Sequence, residues 1–226
     1  MKNKFVIALD GPAASGKSTT AKKLAMLLHY VYIDSGAMYR ACGLQTLHKN
    51  IRLDNQDSLM EMLQAIDIRI EYDPAGNRLY LEDIDVSARI READITRLAS
   101  EIAVIGIVRE RMVDLQRKMG EHGGVIMDGR DIGTVVFPQA DYKFFMIADV
   151  KTRSLRRWEE AKAKGEILDL EAVEAELRWR DKNDSTREHS PLRQAEDAVS
   201  IDTSAMSIDE QVAFIYQVIQ EDKANV

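Results

Sequence analysis

An apolar run at residues 5–9 ends in Asp10 and is followed at once by Gly11, Pro12, Ala13, Ala14, Ser15, Gly16, Lys17 and Ser18. The order is buried strand, glycine-rich turn, helix-compatible stretch, and it constrains the fold more than any other feature of the chain. Glycines at 11 and 16 let the backbone curl so that successive N–H groups turn toward one anion. A helix starting near Lys17 aims its positive end at the same point. Lys17 adds a charge able to reach the β- and γ-phosphates of a bound nucleotide, Ser18 offers a hydroxyl to Mg2+, and Thr19 continues the first helical turn. The competing reading is an ordinary tight turn, which the strand-to-helix setting disfavours.

At 226 residues the chain can bury a proper core, and it suits one domain carrying an insertion better than two independent domains. No segment is long and apolar enough to span a bilayer, and Lys2 and Lys4 precede only a short run that reads as a strand, not a signal peptide. A cytoplasmic protein with no membrane partner is expected. The single Cys42 excludes an intramolecular disulfide and reads as helix packing; His29, His48, His122 and His189 show no metal-ligand spacing with it. The formal charge of −7 argues against a nucleic-acid-coating protein, because backbone phosphates are held by basic surfaces that release counterions. A small anionic substrate remains compatible, since a few arginines in one cleft make a local positive field.

Strand-like runs at 5–9, 31–33, 125–127, 144–147 and 199–201, separated by helix-compatible stretches, predict an α/β fold with a mainly parallel central sheet. Ligands of such sheets collect beyond the carboxyl ends of the strands. Asp10, Asp34, Asp128 and Asp149 follow those ends. Residues 63–92 break the pattern: alternation at 68–72 and 79–81 around a turn cluster at 73–77 predicts an antiparallel hairpin insertion. The stretch 95–119 is helical in period, with a break marked by Gly106. Residues 151–182 predict two exposed helices hinged near Gly165, a candidate lid. A capping box at Ser207 and Glu210 opens a final amphipathic helix. The expected division is a core of 1–62, 93–150 and 183–226, the insertion 63–92 and the lid 151–182.

Three constellations carry chemistry. Ser35 and Arg40 follow the second strand, where Arg40 either clamps a phosphate or is a solvated arginine on a capped helix. Asp128, Gly129, Arg130, Asp131, Ile132 and Gly133 follow the third, so that Arg130 can fork onto phosphate oxygens and Asp131 can accept from an exocyclic amine, or the two form a structural pair. Arg153, Arg156 and Arg157 share a helix, and Arg178, Arg180 and Arg187 follow among Asp181 and Asp184. Singly these are ordinary surface arginines; with a phosphate loop they suit the charge clamp of phosphoryl transfer.

Over nearly its whole length the chain resembles the bacterial cytidylate kinases, a family of P-loop nucleoside monophosphate kinases. The resemblance rests on residues 11–18, the run from Asp34 to Arg40, the run from Asp128 to Pro138, the insertion, and Arg180, Asp181, Asp184 and Arg187. It implies a P-loop NTPase fold with a helical lid, ATP as phosphoryl donor with Mg2+, and CMP and dCMP as acceptors. It places the acceptor phosphate at Ser35, Arg40, Arg130 and Arg187, the ribose at Arg180 and Asp184, and cytosine at Ser100, Arg109 and Asp131. The lid arginines correspond to Arg153 and Arg157, with Arg156 an equal alternative. Lys17, Arg130 and the lid arginines would stabilise the moving phosphoryl group, and no protein base is needed because the acceptor phosphate is already ionised. Rival readings are another small-molecule P-loop kinase, acting on UMP, shikimate or a pantetheine compound, and a GTPase-like switch. The switch lacks its usual guanine-reading motif here. A monomer is expected.

Overall fold

The computed structural model of the chain describes residues 4–71 and 77–224. These residues divide into two compact units, one of residues 1–32 with 123–226 and one of residues 33–122.

The first unit is built on parallel strands. β1 (Val6–Asp10) leads through the glycine-rich turn into α1 (Lys17–Leu28), and β2 (Val31–Asp34) begins beside it. After the second unit come β6 (Val125–Gly129), β7 (Tyr142–Ile147), α6 (Val150–Ala163), α7 (Leu170–Thr186), β8 (Val199–Asp202) and α8 (Ile208–Ala224). The sheet runs β2-β6-β1-β7-β8. β1 is parallel to both β6, with Leu9 opposite Asp128, and β7, with Leu9 opposite Phe144; β7 is in turn parallel to β8. Strands covered on both faces need continuous apolar runs. Accordingly Ile7, Leu9, Ile126, Phe144, Met146 and Ile201 join Leu24 of α1 and Ile215 and Ile219 of α8 in one core. All five expected strands are present, and the expected capping box forms: Glu210 accepts from the Ser207 amide at 2.8 Å while the Ser207 hydroxyl accepts from the Glu210 amide at 3.3 Å.

The two expected helices after β7 are α6 and α7. Gly165, at φ +80°, takes the left-handed conformation that ends α6, and Asp169 caps α7 by accepting from the Ala172 amide. α7 continues to Thr186, past the expected end at 182.

The second unit holds α2 (Ser35–His48), α3 (Gln56–Ala65), β3 (Ile68–Glu71), β4 (Arg78–Leu81), β5 (Ile84–Asp85), α4 (Ala93–Ile102) and α5 (Gly106–Gly120). The expected insertion, 63–92, lies wholly within it. β3 and β4 pair antiparallel, with Ile68 opposite Leu81 and Ile70 opposite Leu79. The expected turn at 73–77 falls, apart from Asn77, outside the described residues. The hairpin is a three-stranded sheet, because Glu82 at φ +55° reverses the chain and sets Ile84 opposite Leu81. Two residues of strand are too short to show a period, so β5 left no sequence signal. Gly106 begins α5 after the expected break. Gly43 lets α2 and α4 approach: a Cβ there would sit 3.2 Å from Leu98 Cγ. Cys42 is buried in α2, and burial pushes its thiol up to about 12, as helix packing predicts.

Candidate active site

The phosphate loop has the shape its glycines were expected to allow. Gly11 lies at φ +147° and Gly16, which caps α1, at φ +95°. A Cβ on Gly11 would fall 2.0 Å from the Met146 carbonyl oxygen, so β7 passes too close for any side chain. Ala14 adopts a left-handed φ of 59°. The first turn of α1 carries no acidic residue and Gly16 gives no side-chain cap, which leaves the helix dipole available to an anion. Lys17 is buried, and its ammonium donates to the Pro12 carbonyl at 2.6 Å and to Ser15 Oγ at 3.3 Å. Burial and the nearby Arg130 charge lower its pKa to about 7 against the pull of Asp128 and Asp10.

Side chains absent from the expected set hold this loop from outside. Thr203, just after β8, is fully buried and donates its hydroxyl to the Ser15 carbonyl at 2.9 Å. Gln211 of α8 accepts from the Thr20 hydroxyl at 2.7 Å, and its Oε1 would lie 2.8 Å from a Cβ on Gly16. Val173 and Leu177 of α7 pack against Ala13. Thr203 lies at the carboxyl end of a strand, as Asp10 and Asp128 do, and that position was the one signal that could have singled it out. Gln211 has no such signal.

Beside the loop, Asp10 accepts from the amides of Ile132 and Gly133 at 2.8 and 2.7 Å, fixing the single π turn over Ile132–Val136. Burial raises the Asp10 carboxyl to about 7, the two amides opposing and Asp131 adding to the rise. Asp128 is gripped through one oxygen by the Tyr32 hydroxyl at 2.7 Å and through the other by the Ser18 hydroxyl at 2.9 Å. A hydroxyl and a carboxylate in contact at the head of α1 form the hard oxygen donor set that Mg2+ takes alongside phosphate. Arg130 Nε donates to Asp184 at 2.6 Å. Arg187 stands 3.8 Å from Asp131 and 3.8 Å from Asp184, and it donates through Nε to the Ser190 carbonyl at 2.7 Å. Burial would raise the Asp184 carboxyl, but Arg130, Arg187 and Arg180 outweigh it and hold it below the usual carboxylate range. The first unit thus brings Lys17, Arg130, Arg187 and the carboxylates of residues 10, 128, 131 and 184 into one electrostatic cluster.

In the second unit, Asp34 caps α2 by accepting from the Ala37 amide at 2.8 Å and receives Arg40 Nη2 at 2.9 Å. Arg40 is therefore an oriented, mostly covered guanidinium and not a solvated one. Ser35 is buried at the head of the same helix. Arg109 of α5 is buried, donates to the Ala103 carbonyl at 3.1 Å, and places its guanidinium 5.3 Å from the centre of the Tyr39 ring. Ser100 of α4 donates to the Thr96 carbonyl at 3.5 Å. These contacts bring Arg40 to Asp34 and Arg109 to Tyr39, within this unit.

The profile of the cytidylate kinase family matches residues 7–221. The chain belongs to the cytidylate kinase family. It is 46% identical over 221 residues to the cytidylate kinase of Anoxybacillus flavithermus, covering 98% of each chain. With that of Bacillus cytotoxicus it shares 47% over 221 residues, again 98% of each. With that of Enterococcus faecalis it shares 46% over 218 residues, 96% of each. Among solved structures, an uncharacterized protein from Eubacterium ventriosum superposes with TM-score 0.54 at 15% identity, covering 96% of this chain and 99% of the other. A shikimate kinase from Acinetobacter baumannii in complex with shikimate reaches 0.50 at 15%, covering 98% and 96%. At that identity both likenesses show the fold alone.

The three arginines of α6 go to different partners. Arg153 is buried; its guanidinium bonds both carboxylate oxygens of Asp181, at 3.1 and 2.6 Å, and the Ala13 carbonyl at 3.2 Å. Arg156 donates to the carbonyls of Thr203 and Met206 at 2.5 and 3.4 Å and to the Thr203 hydroxyl at 3.3 Å. Arg157 is half exposed, 3.7 Å from Glu160. Arg156 thus contacts the segment after β8. Arg180 is half-buried on α7, 3.9 Å from Glu176. No helix among the described residues is long and apolar enough to cross a membrane.

Proposed function

We propose that the chain transfers the γ-phosphoryl group of ATP to the phosphate of CMP, and of dCMP, in the cytoplasm and as a monomer. The observation that carries this reading is the match to cytidylate kinases along nearly the full chain, on a protein whose first helix opens on an uncapped, glycine-shaped phosphate loop. Residues 11–19 hold the donor triphosphate: the loop amides and helix dipole meet its oxygens, and Lys17 supplies a positive charge. Ser18 and Asp128 would hold Mg2+, which supplies charge neutralisation on the phosphate oxygens when bound. By family resemblance Ser35, Arg40, Arg130 and Arg187 take the acceptor phosphate, and Arg180 and Asp184 the ribose. Asp131 accepts from the cytosine amine, with Ser100 and Arg109 meeting the ring's acceptors; uracil lacks that amine and leaves a carboxylate unpaired.

The acceptor phosphate is ionised near neutral pH, so the protein's work is to position and to stabilise charge, with Lys17, Arg130, Arg153 and Arg157 as the positive groups. A coupled ADP-release assay with CMP, dCMP, UMP, shikimate and a pantetheine compound tests the reading. Turnover with CMP is expected to dominate. Faster turnover with another acceptor, or tight GTP binding with no acceptor-dependent turnover, overturns it.

A further inference from the structure

We propose that Thr203 is a positioning residue for the donor nucleotide, acting by setting the peptide plane between Ser15 and Gly16 in the phosphate loop. The proposal rests on the kinase reading above and concerns how its donor site is held in shape.

A trans peptide points its C=O and the following N–H in opposite directions. Thr203 Oγ1 lies 2.9 Å from the Ser15 oxygen and 3.0 Å from the Ile147 oxygen. The hydroxyl hydrogen has these two acceptors within reach, and the Ser15 oxygen is the nearer, while the Ile147 oxygen also receives the Thr203 amide at 2.8 Å. Drawing the Ser15 carbonyl toward Thr203 sends the Gly16 N–H to the opposite face of the loop, where it serves the phosphates. Ser15 and Thr203 both have no solvent exposure. Without the hydroxyl, a buried carbonyl loses its partner and the peptide loses the bond that fixes its orientation. Gly16, with no Cβ to resist rotation and a left-handed φ of 95°, cannot hold that orientation by itself. The same Ser15 offers its Oγ to the Lys17 ammonium at 3.3 Å, so a displaced Ser15 also disturbs the lysine.

Thr203 is held in its turn. Arg156 of α6 reaches its hydroxyl at 3.3 Å and its carbonyl at 2.5 Å, and Gln211 Nε2 ties Met206 of the same segment at 3.2 Å. Arg156 thus acts on the loop through Thr203, a different task from that of a phosphate clamp.

The test replaces the hydroxyl with a methyl of similar size, Thr203→Val, and restores it with Thr203→Ser. Binding of a non-hydrolysable ATP analogue is measured by calorimetry, and KM for ATP, KM for CMP and kcat by coupled assay. Thr203→Val is expected to weaken analogue binding and raise KM for ATP by roughly 10- to 100-fold, the range for an orphaned buried carbonyl. KM for CMP is expected to stay within about twofold and kcat to fall less than KM rises, with Thr203→Ser recovering most of the loss. Unchanged analogue affinity in a folded Thr203→Val overturns the proposal, as does equal loss toward both substrates. Should Thr203→Val not fold, Arg156→Met carries the test, with a smaller loss of analogue affinity expected and an unchanged affinity overturning it. Because the binding arm needs no acceptor, a wild-type protein that binds the analogue but ignores CMP would sink the kinase reading and leave the proposal standing.

Discussion

The two compact units hold their candidate site residues in opposite ways. In the first, the partners are distant in sequence: 188 residues separate Thr203 from Ser15, 191 separate Gln211 from Thr20, 140 separate Arg153 from Ala13, and 54 separate Arg130 from Asp184. In the second the hydrogen-bond partners are near: Asp34 bonds residues three and six positions on, and Arg109 bonds a carbonyl six positions back, although Arg109 also reaches across from α5 to the Tyr39 ring of α2. Local bonds form whenever their helix forms. Distant bonds exist only once the sheet is assembled, so the phosphate loop takes its working shape together with the fold of its unit. Perturbing the loop should therefore cost stability and donor binding together, whereas perturbing the helix caps of the second unit should cost acceptor binding with little effect elsewhere.

The most severe challenge to that contrast is Gly11→Ala. Its Cβ would lie 2.0 Å from the Met146 oxygen at a φ that side chains avoid, so a loss of more than about 3 kcal/mol is expected. For a chain of this size that lowers the melting temperature by about 10 °C, and nucleotide affinity should vanish with it. Differential scanning calorimetry and nucleotide titration read both. A Gly11→Ala protein of normal stability would break the link between loop and fold.

Arg130→Ala separates chemistry from stability within the first unit. Removing one preorganised positive group is expected to lower kcat by about 100- to 1,000-fold. Folding should suffer less, because Asp184 keeps Arg187 at 3.8 Å. Steady-state kinetics beside a melting curve distinguishes the two, and normal CMP turnover would remove Arg130 from its assigned role.

Asp34→Ala probes the second unit. It removes the cap of α2 and the partner of Arg40 together. A cap is worth about 1 kcal/mol, so the expected result is a modest drop in melting temperature, KM for CMP raised on the order of tenfold, and KM for ATP unchanged. An equal rise for ATP would show that the two units are not energetically separable.

The smallest expected effect is protonic. Burial and the Arg130 charge lower the Lys17 pKa to about 7, below its ordinary value. At pH 8 the free protein therefore carries this amine mostly neutral, while a bound polyphosphate favours the charged form. ATP binding at pH 8 should take up most of one proton, and affinity should weaken as pH rises above about 7. Calorimetry in two buffers of different ionisation enthalpy measures the uptake; none at all would mean that Lys17 is already charged in the free loop.

Features governed by neighbours in sequence were legible. The alternation of apolar runs located the strands of the central sheet, Gly106 marked the break between α4 and α5, Gly165 the end of α6, and Ser207 with Glu210 the start of α8. β5 was too short to leave a period, and the π turn after Asp131 depends on Asp10, more than a hundred residues earlier. Arg153, Arg156 and Arg157 show the limit most directly. They sit within five positions on one helix, identical in type, yet one binds Ala13 and Asp181, one binds the segment after β8, and one stands beside Glu160.

The amino-acid sequence by itself determined the α/β alternation and the phosphate loop, because strand period, glycine torsions and helix polarity act over a few residues. Only the tertiary structure decided which side chains hold that loop and which arginine serves which partner. A hydrogen bond across nearly two hundred residues depends on the order in which strands lie side by side, and no local pattern encodes that order.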